Sequence, residues 1–355
     1  MMDRRTFVTA ATAATAGLAF VGCCLKGWAQ TPAATGRRQV LVGGRRVRTV
    51  DFHSHCAVPG VMELMGQTTP TNGVNGALLM GTDRLKQMDA QGIDIEVLSI
   101  NPFWYSVERD VARAMIKMQN EKLAEFCAAH PDRFAGLASV ALQHPDLAAE
   151  QLEEGVKKLG LRGGAIGGSV NGEELAAPKF EPFWAKAEQL GVPIFIHPQA
   201  VPEFRSRLQG SGVLTNVIGN PLETTIALSH LIFEGTLDRF PNLKICAAHG
   251  GGYLPSYADR SDLGCVTLSQ TCKPLKKKPT EYLRQLYFDS MVFSSEGLRH
   301  LAAVCGSSQI VMGTDYPYPW TSTSVDHILN TPGFSNAERE AMLGNTAIQL
   351  LGMRS

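Results

Sequence analysis

Val47-Arg48-Thr49-Val50-Asp51-Phe52-His53-Ser54-His55 opens the patterned part of the chain with a strand signal that ends in chemistry. β-Branched and aromatic residues carry the run from Val47 to His53, the composition of a pleated, buried surface. Two histidines one residue apart end it. The first strand of a doubly wound dinucleotide-binding sheet is instead followed by a glycine-rich phosphate loop. Seven more short apolar runs follow, over residues 95–100, 134–140, 163–168, 193–197, 244–249, 286–292 and 309–313. Between them lie helical patterns at 83–91, 107–130, 147–159, 180–190, 221–240, 296–304 and 338–351. Strand–helix alternation repeated eight times over about 280 residues predicts a single (β/α)8 TIM barrel, taken here as residues 47–352. Gly250-Gly251-Gly252, after the sixth run, lacks the spacing of a dinucleotide fingerprint.

Composition sets the outer bounds. The chain has 355 residues, of which 44% are hydrophobic, so a large core is within reach and a dominantly disordered chain is excluded. Thirty-three basic residues balance 33 acidic ones. A zero formal charge offers no long-range attraction to nucleic acid or to an anionic membrane. No apolar run reaches the roughly 18 residues of a spanning helix.

Residues 1–29 read as an address. Arg4 and Arg5 form a twin-arginine pair, an Ala- and Thr-rich apolar stretch follows to Gly22, and Gly27-Trp28-Ala29 puts small residues where a signal peptidase reads. The expectation is twin-arginine export to the periplasm, with residues 30–46 as an N-terminal extension of the barrel. Val21-Gly22-Cys23 resembles a lipid-attachment site, which makes an anchor at Cys23 an alternative. Cys56, Cys127, Cys246, Cys265, Cys272 and Cys305 form no CxxC pair, so no zinc–thiolate knuckle is expected. Cys265 and Cys272 are close enough in sequence to pair in an oxidising compartment.

In a (β/α)8 barrel, function gathers at the C-terminal ends of the strands. His53 and His55 end the first run, and side chains two apart on a strand point the same way. His197 ends the fifth, His249 the sixth and Asp315 the eighth. Three imidazoles and a carboxylate suit zinc or a similar divalent ion with one open position. His130, His144, His230, His300 and His327 fall in helices or loops and read as structural. Phe103, Trp104 and Tyr105 follow the second run, where they can stack on a planar ring or pack into the core. Arg205 and Arg207, after the fifth run, are further candidates to meet an anionic substrate.

Asp-Phe-His-Ser-His, Phe-Ile-His-Pro, Ala-His-Gly-Gly-Gly and Gly-Thr-Asp-Tyr-Pro together resemble the amidohydrolase superfamily. More closely they resemble its branch of non-oxidative decarboxylases typified by 2-amino-3-carboxymuconate-6-semialdehyde decarboxylase. The similarity runs over residues 50–352 and includes Asn220-Pro221-Leu222-Glu223-Thr224-Thr225. The resemblance implies that His53, His55, His197 and Asp315 bind one divalent ion, zinc or manganese. It makes His249 an acid/base and Asp315 part of the catalytic set. It also makes Arg260 the partner of a substrate carboxylate, and it suggests a homodimer. Binuclear relatives carry a lysine at the end of the fourth strand, and residues 163–168 have none, so one ion is expected. Two departures stand out. Residues 58–81 contain no basic residue, and Gln199 stands where the prototype has an aromatic residue. The same ligands serve hydrolysis of a lactone, ester or amide, which is the alternative to decarboxylation of an unsaturated or aromatic acid.

Overall fold

Backbone hydrogen bonds join eight parallel strands into a closed ring in the computed structural model, which describes residues 36–68, 73–199, 206–210, 213–273 and 275–354. The strands are β1 Val50–His55, β2 Ile95–Ser99, β3 in two segments Phe134–Gly136 and Ala138–Ser139, and β4 Gly164–Ile166. They continue with β5 Pro193–Ile196, β6 Lys244–Ala247, β7 Tyr287–Asp289 and β8 Ile310–Val311. Each pairs in parallel with the next, and the two halves of β3 hand the ladder from β2 to β4. Phe52 N–H donates to the Met312 carbonyl at 2.8 Å and Asp315 N–H to the His53 carbonyl at 2.8 Å, closing β8 onto β1. The TIM-barrel expectation holds, and all eight predicted runs are barrel strands.

The core has two layers, as a two-residue side-chain period demands. Val50 and Phe52, Ile95 and Val97, Ala135 and Leu137, Ala165, Phe195, Cys246 and Ala248, and Val311 fill the barrel interior. Alternate residues such as Leu98, Ile166, Ile194, Ile196, Ile245, Phe288 and Ile310 belong to a second cluster shared with the helices.

One irregularity positions the site. Asp51 pairs with Glu96, but Ser54 pairs with Leu98, so three steps along β1 match two along β2. The extra residue is a β-bulge, which re-aims the side chains that follow it. Phe52 lies against Phe195 with ring centroids 5.9 Å apart, and His53 lies against the same ring at 5.0 Å. Consecutive residues therefore both face inward.

Helices α1 Asp83–Gln91, α2 Arg109–Ala129, α3 Pro145–Lys157, α4 Glu181–Leu190, α5 Asn220–Phe233, α6 Leu254–Thr267 and α7 Ser295–Cys305 pack outside the ring. Two depart from the sequence reading. The helix expected over 221–240 stops at Phe233, because Gly235 turns left-handed with φ 72° before a short Thr236–Arg239 helix. Helix α6 carries no amphipathic signal that the sequence reading registered. Leu254 and Ala258 on it are buried, but Tyr257, Leu263 and Val266 are exposed, so apolar residues fall on both faces and blur the stripe. A Cys265–Cys272 disulfide ties its C-terminal end.

Of the predicted extension, residues 36–46 pack on the barrel. Val40 and Val42 are buried in the outer cluster, and Arg37 and Arg46 each reach Asp94 at 2.6 Å. The predicted export signal, Cys23 and Arg205 lie outside the described residues. No helix among the described residues is long and apolar enough to cross a membrane.

Candidate metal centre

Four side chains meet at the C-terminal mouth of the barrel. His53 and His55 come from β1, His197 follows β5 and Asp315 follows β8. One ligand atom from each lies within 4.8 Å of every other. All four are buried. The Nε2 atoms of His53 and His55 are 3.0 Å apart, and Asp315 Oδ1 lies 2.9 Å from His55 Nε2 and 3.2 Å from His53 Nε2. His197 Nε2 is 4.0 Å from the same oxygen.

The tautomers follow from the outer partners. His53 Nδ1–H donates to Asp289 Oδ2 at 2.6 Å, which leaves the Nε2 lone pair aimed at the centre. Among the described residues, neither ring nitrogen of His197 has a hydrogen-bond partner, although His197 is buried. An orphaned buried polar group costs about 1–3 kcal/mol. Lone pairs converging on one point are satisfied together by a cation. The donor set of three imidazoles and one carboxylate fits a divalent ion, and the cluster is one divalent-metal site.

Electrostatics agree. Burial, followed by the neighbouring imidazoles, pushes His197 well below the usual histidine range, and burial also lowers His55. Burial works against charge on His53 too, but Asp315 and Asp289 outweigh it and lift the ring to about 10. Burial likewise opposes ionisation of Asp315, yet the His53 charge and hydrogen bonds from His249, His53 and His55 hold it below the usual carboxylate range. Two imidazoles that resist charge beside a carboxylate that keeps it are the electrostatics a divalent cation requires.

The backbone is shaped to present this set. Asp315 has φ 60° and His249 φ 56°, left-handed conformations that cost a non-glycine residue roughly 1–2 kcal/mol. Asp51, buried beneath, accepts from His53 N–H at 3.1 Å, Thr314 N–H at 3.1 Å and Thr314 Oγ1 at 2.5 Å, which ties β1 to the Asp315 turn. Arg84 is buried, donates Nη2–H to the His55 carbonyl at 2.7 Å and stands over the Tyr316 ring at 4.9 Å. Its Nη1 is 3.5 Å from buried Glu96. Gly313 permits a close approach to the first ligand, since a Cβ there would sit 2.9 Å from His53 Cβ.

His249 adjoins the four ligands. Its Nε2 is 3.7 Å from Asp315 Oδ2, and its side chain is 15% exposed, the most accessible of the site imidazoles. It lines a cavity of about 420 Å³ with Tyr253, Met291, Phe293, Trp320 and Asp315. A second cavity, about 440 Å³, runs from Asp315 and His197 past Phe103, Tyr318, Asn101 and Gln199. Of the three aromatics that follow the second run, Phe103 lines this mouth. Trp104 is buried, with Nε1–H donating to the Val140 carbonyl at 2.9 Å, and the Tyr105 hydroxyl accepts from Gly167 N–H at 3.0 Å. Arg260 is exposed on α6 and lines neither cavity, and Arg207 is exposed as well.

A family model for amidohydrolases matches residues 50–353. The chain belongs to the amidohydrolase family. The 2-amino-3-carboxymuconate-6-semialdehyde decarboxylase of Dictyostelium discoideum is 31% identical over 280 residues, covering 76% of each chain. The structure of 5-carboxyvanillate decarboxylase from Sphingomonas paucimobilis superposes with a TM-score of 0.80 at 26% identity, over 87% of this chain and all of the other. A dihydroxybenzoic acid decarboxylase from Polaromonas, determined with manganese and 2-nitroresorcinol, gives 0.77 at 27% identity, over 86% and 97% of the two chains. These relatives place this amidohydrolase in the decarboxylase branch.

The sequence reading missed Asp289, which touches both His53 and the His249 backbone. A carboxylate at the end of the seventh barrel strand was the available signal. It also missed Tyr253, Phe293 and Trp320, which reach the mouth from segments with no strand-end mark.

The purified amidohydrolase is expected to bind about one divalent ion per chain. Alanine at any of His53, His55, His197 or Asp315 should lower occupancy sharply in elemental analysis. A quadruple alanine variant that keeps one tightly bound ion per chain would rule out this site.

Proposed function

We propose that the chain is a metal-dependent, non-oxidative decarboxylase of an aromatic or unsaturated carboxylic acid. The observation that carries this reading is the four-ligand cluster opening through Asp315 onto a cavity walled by Tyr253, Phe293 and Trp320, with His249 at its edge. Apolar walls with a few convergent polar groups suit a planar, largely uncharged ring. The catalytic relatives support the reaction type, and the lack of lysine and arginine among the described lining residues supports a substrate whose acidic end is held at the cluster.

His53, His55, His197 and Asp315 would hold the ion, zinc or manganese in this reading, which would supply a Lewis acid able to stabilise developing negative charge. Three imidazoles suit zinc, and manganese is the ion named for the Polaromonas relative. His249 Nε2 faces the cavity beside Asp315 and delivers the proton. The bond from the ring carbon to the carboxyl group breaks, its electron pair stays on carbon, that carbon takes the proton, and carbon dioxide leaves. Asp315 Oδ2, 3.7 Å from His249 Nε2, places a negative charge beside the ring that carries the proton. Apolar walls exclude water, which strengthens these charge interactions.

Metal-loaded protein offered a panel of hydroxylated benzoic acids, muconate-like acids and lactones should release carbon dioxide from at least one acid. Ring or bond opening without carbon dioxide would instead establish the hydrolase alternative.

General acid/base groups contribute about 10²–10⁴-fold to rate, so His249→Ala should keep its metal and lose turnover on that scale. A metal-depleted His249→Ala protein would make His249 a ligand, and turnover within a few-fold of the parent would make it structural. Arg260→Ala, by contrast, should raise KM several-fold with metal content unchanged if Arg260 pairs with the substrate carboxylate. An unchanged KM removes that role.

Twin-arginine export belongs to the same proposal. The Cys265–Cys272 disulfide on an exposed helix end supports an oxidising compartment. Cell fractionation should place the protein in the periplasm, and retention in the cytoplasm with both thiols reduced would remove this part of the reading.

A further inference from the structure

Asp289 ends β7 and is fully buried. It receives four hydrogen bonds. His53 Nδ1–H at 2.6 Å and His249 N–H at 2.8 Å both reach Oδ2. Gly250 N–H at 2.8 Å and Met291 N–H at 3.0 Å both reach Oδ1. Every partner donates, and an ionised carboxylate, an acceptor only, satisfies all four. Burial opposes that ionisation, but the His53 hydrogen bond prevails and the group lies below its ordinary range.

Two of the donors come from consecutive residues in the left-handed region, His249 with φ 56° and Gly250 with φ 61°. Successive N–H groups in such a turn form a concave nest for an anion. Here the anion is a side chain of the same protein. Its other contact fixes the ring of His53 in the orientation a metal needs. Gly313 packs against the back of the carboxylate, where a Cβ would come within 3.1 Å of Asp289 Cβ, so the side chain has little room to move.

We infer that Asp289 is the positioning residue that sets His249 relative to the metal ligand His53. The inference rests on the reading of His249 as the proton donor. One carboxylate holds the ring of the ligand through one hydrogen bond and the backbone of the proton donor through two. Both groups are therefore referenced to a single point, and the turn that presents His249 to the cavity is held in a conformation its sequence does not favour. Among the described residues, His249 has no other hydrogen bond that fixes its backbone N–H, and its Nδ1 has no partner.

Asp289→Asn is the test, since it preserves shape and replaces one acceptor with a donor. Metal affinity, read by chelator competition without any substrate, should fall about 10–100-fold, as for other outer partners of metal-bound histidine. With metal in excess and full occupancy verified, kcat should stay at least tenfold below the parent while KM changes little. The Asp289→Asn/His249→Ala double variant, also fully loaded, should be no slower than His249→Ala alone, because Asp289 acts through His249. Parental metal affinity overturns the inference. So does kcat within threefold of the parent at full occupancy, which would confine Asp289 to His53. Multiplied losses in the double variant overturn it as well. If Asp289→Asn does not fold by circular dichroism, Asp289→Glu, which keeps both acceptors but moves them, carries the same three readouts. The underlying reading fails differently: His249→Ala would then retain parental turnover, whatever Asp289 does.

Discussion

The hydrogen bond from the Asp315 amide to the His53 carbonyl closes the barrel and builds the metal site in one contact. Strand β8 has to return to β1 for the ring to have no open edge. That return carries Asp315 to the two β1 histidines, which lie 260 and 262 residues earlier in the chain. His197 enters from the opposite wall, two residues beyond Phe195 on the same inward face of β5. The ligands therefore come from elements that have no local reason to be near one another. Their spacing is a property of the closed ring.

Polar groups beneath the ligands are tied off in pairs. Asp51 accepts three hydrogen bonds from β1 and the Asp315 turn, and Arg84 joins the His55 carbonyl to Glu96 and Tyr316. Buried charges are costly unless paired, and removing one partner of such a pair costs about 3–5 kcal/mol. These contacts do little for net stability when intact. What they do is leave the β1 and β8 ends a single low-energy arrangement. The left-handed conformations of His249 and Asp315 persist inside that frame because the surrounding hydrogen bonds outweigh their local cost. Of the three left-handed non-glycine residues among the described residues, these two belong to the proposed reaction and the third is Asn171.

The mouth of the barrel divides in character. On the His249 side, aromatic and aliphatic groups from the loops after β6, β7 and β8 form an apolar wall. On the His197 side, Asn101, Gln199, Asn216 and Asn220 offer neutral hydrogen-bonding groups. Asp315 borders both.

The strand–helix rhythm, the closed barrel and the four ligands were legible in the sequence. Strand patterns have a two-residue period that depends only on neighbouring residues, and strand-end histidines in a barrel are confined to one face. His53, His55, His197 and Asp315 were identifiable for that reason, with family resemblance separating them from His249. What the sequence left open was decided by contacts between distant segments. The β1 bulge, which turns both Phe52 and His53 inward, comes from pairing with β2 and has no signature in β1 alone. Asp289 looks like any strand-end acid until His53 and the His249 turn close around it. Trp104 and Tyr105 sit beside Phe103 in sequence, yet packing buries those two and leaves Phe103 at the mouth. Helix α6 escaped notice because its exposed apolar residues blur the period that burial would have sharpened. Local pattern determined which elements form and which residues end them. Only the closed ring decided which of those ends meet, because hydrogen-bond register and side-chain packing are set between strands and not within them.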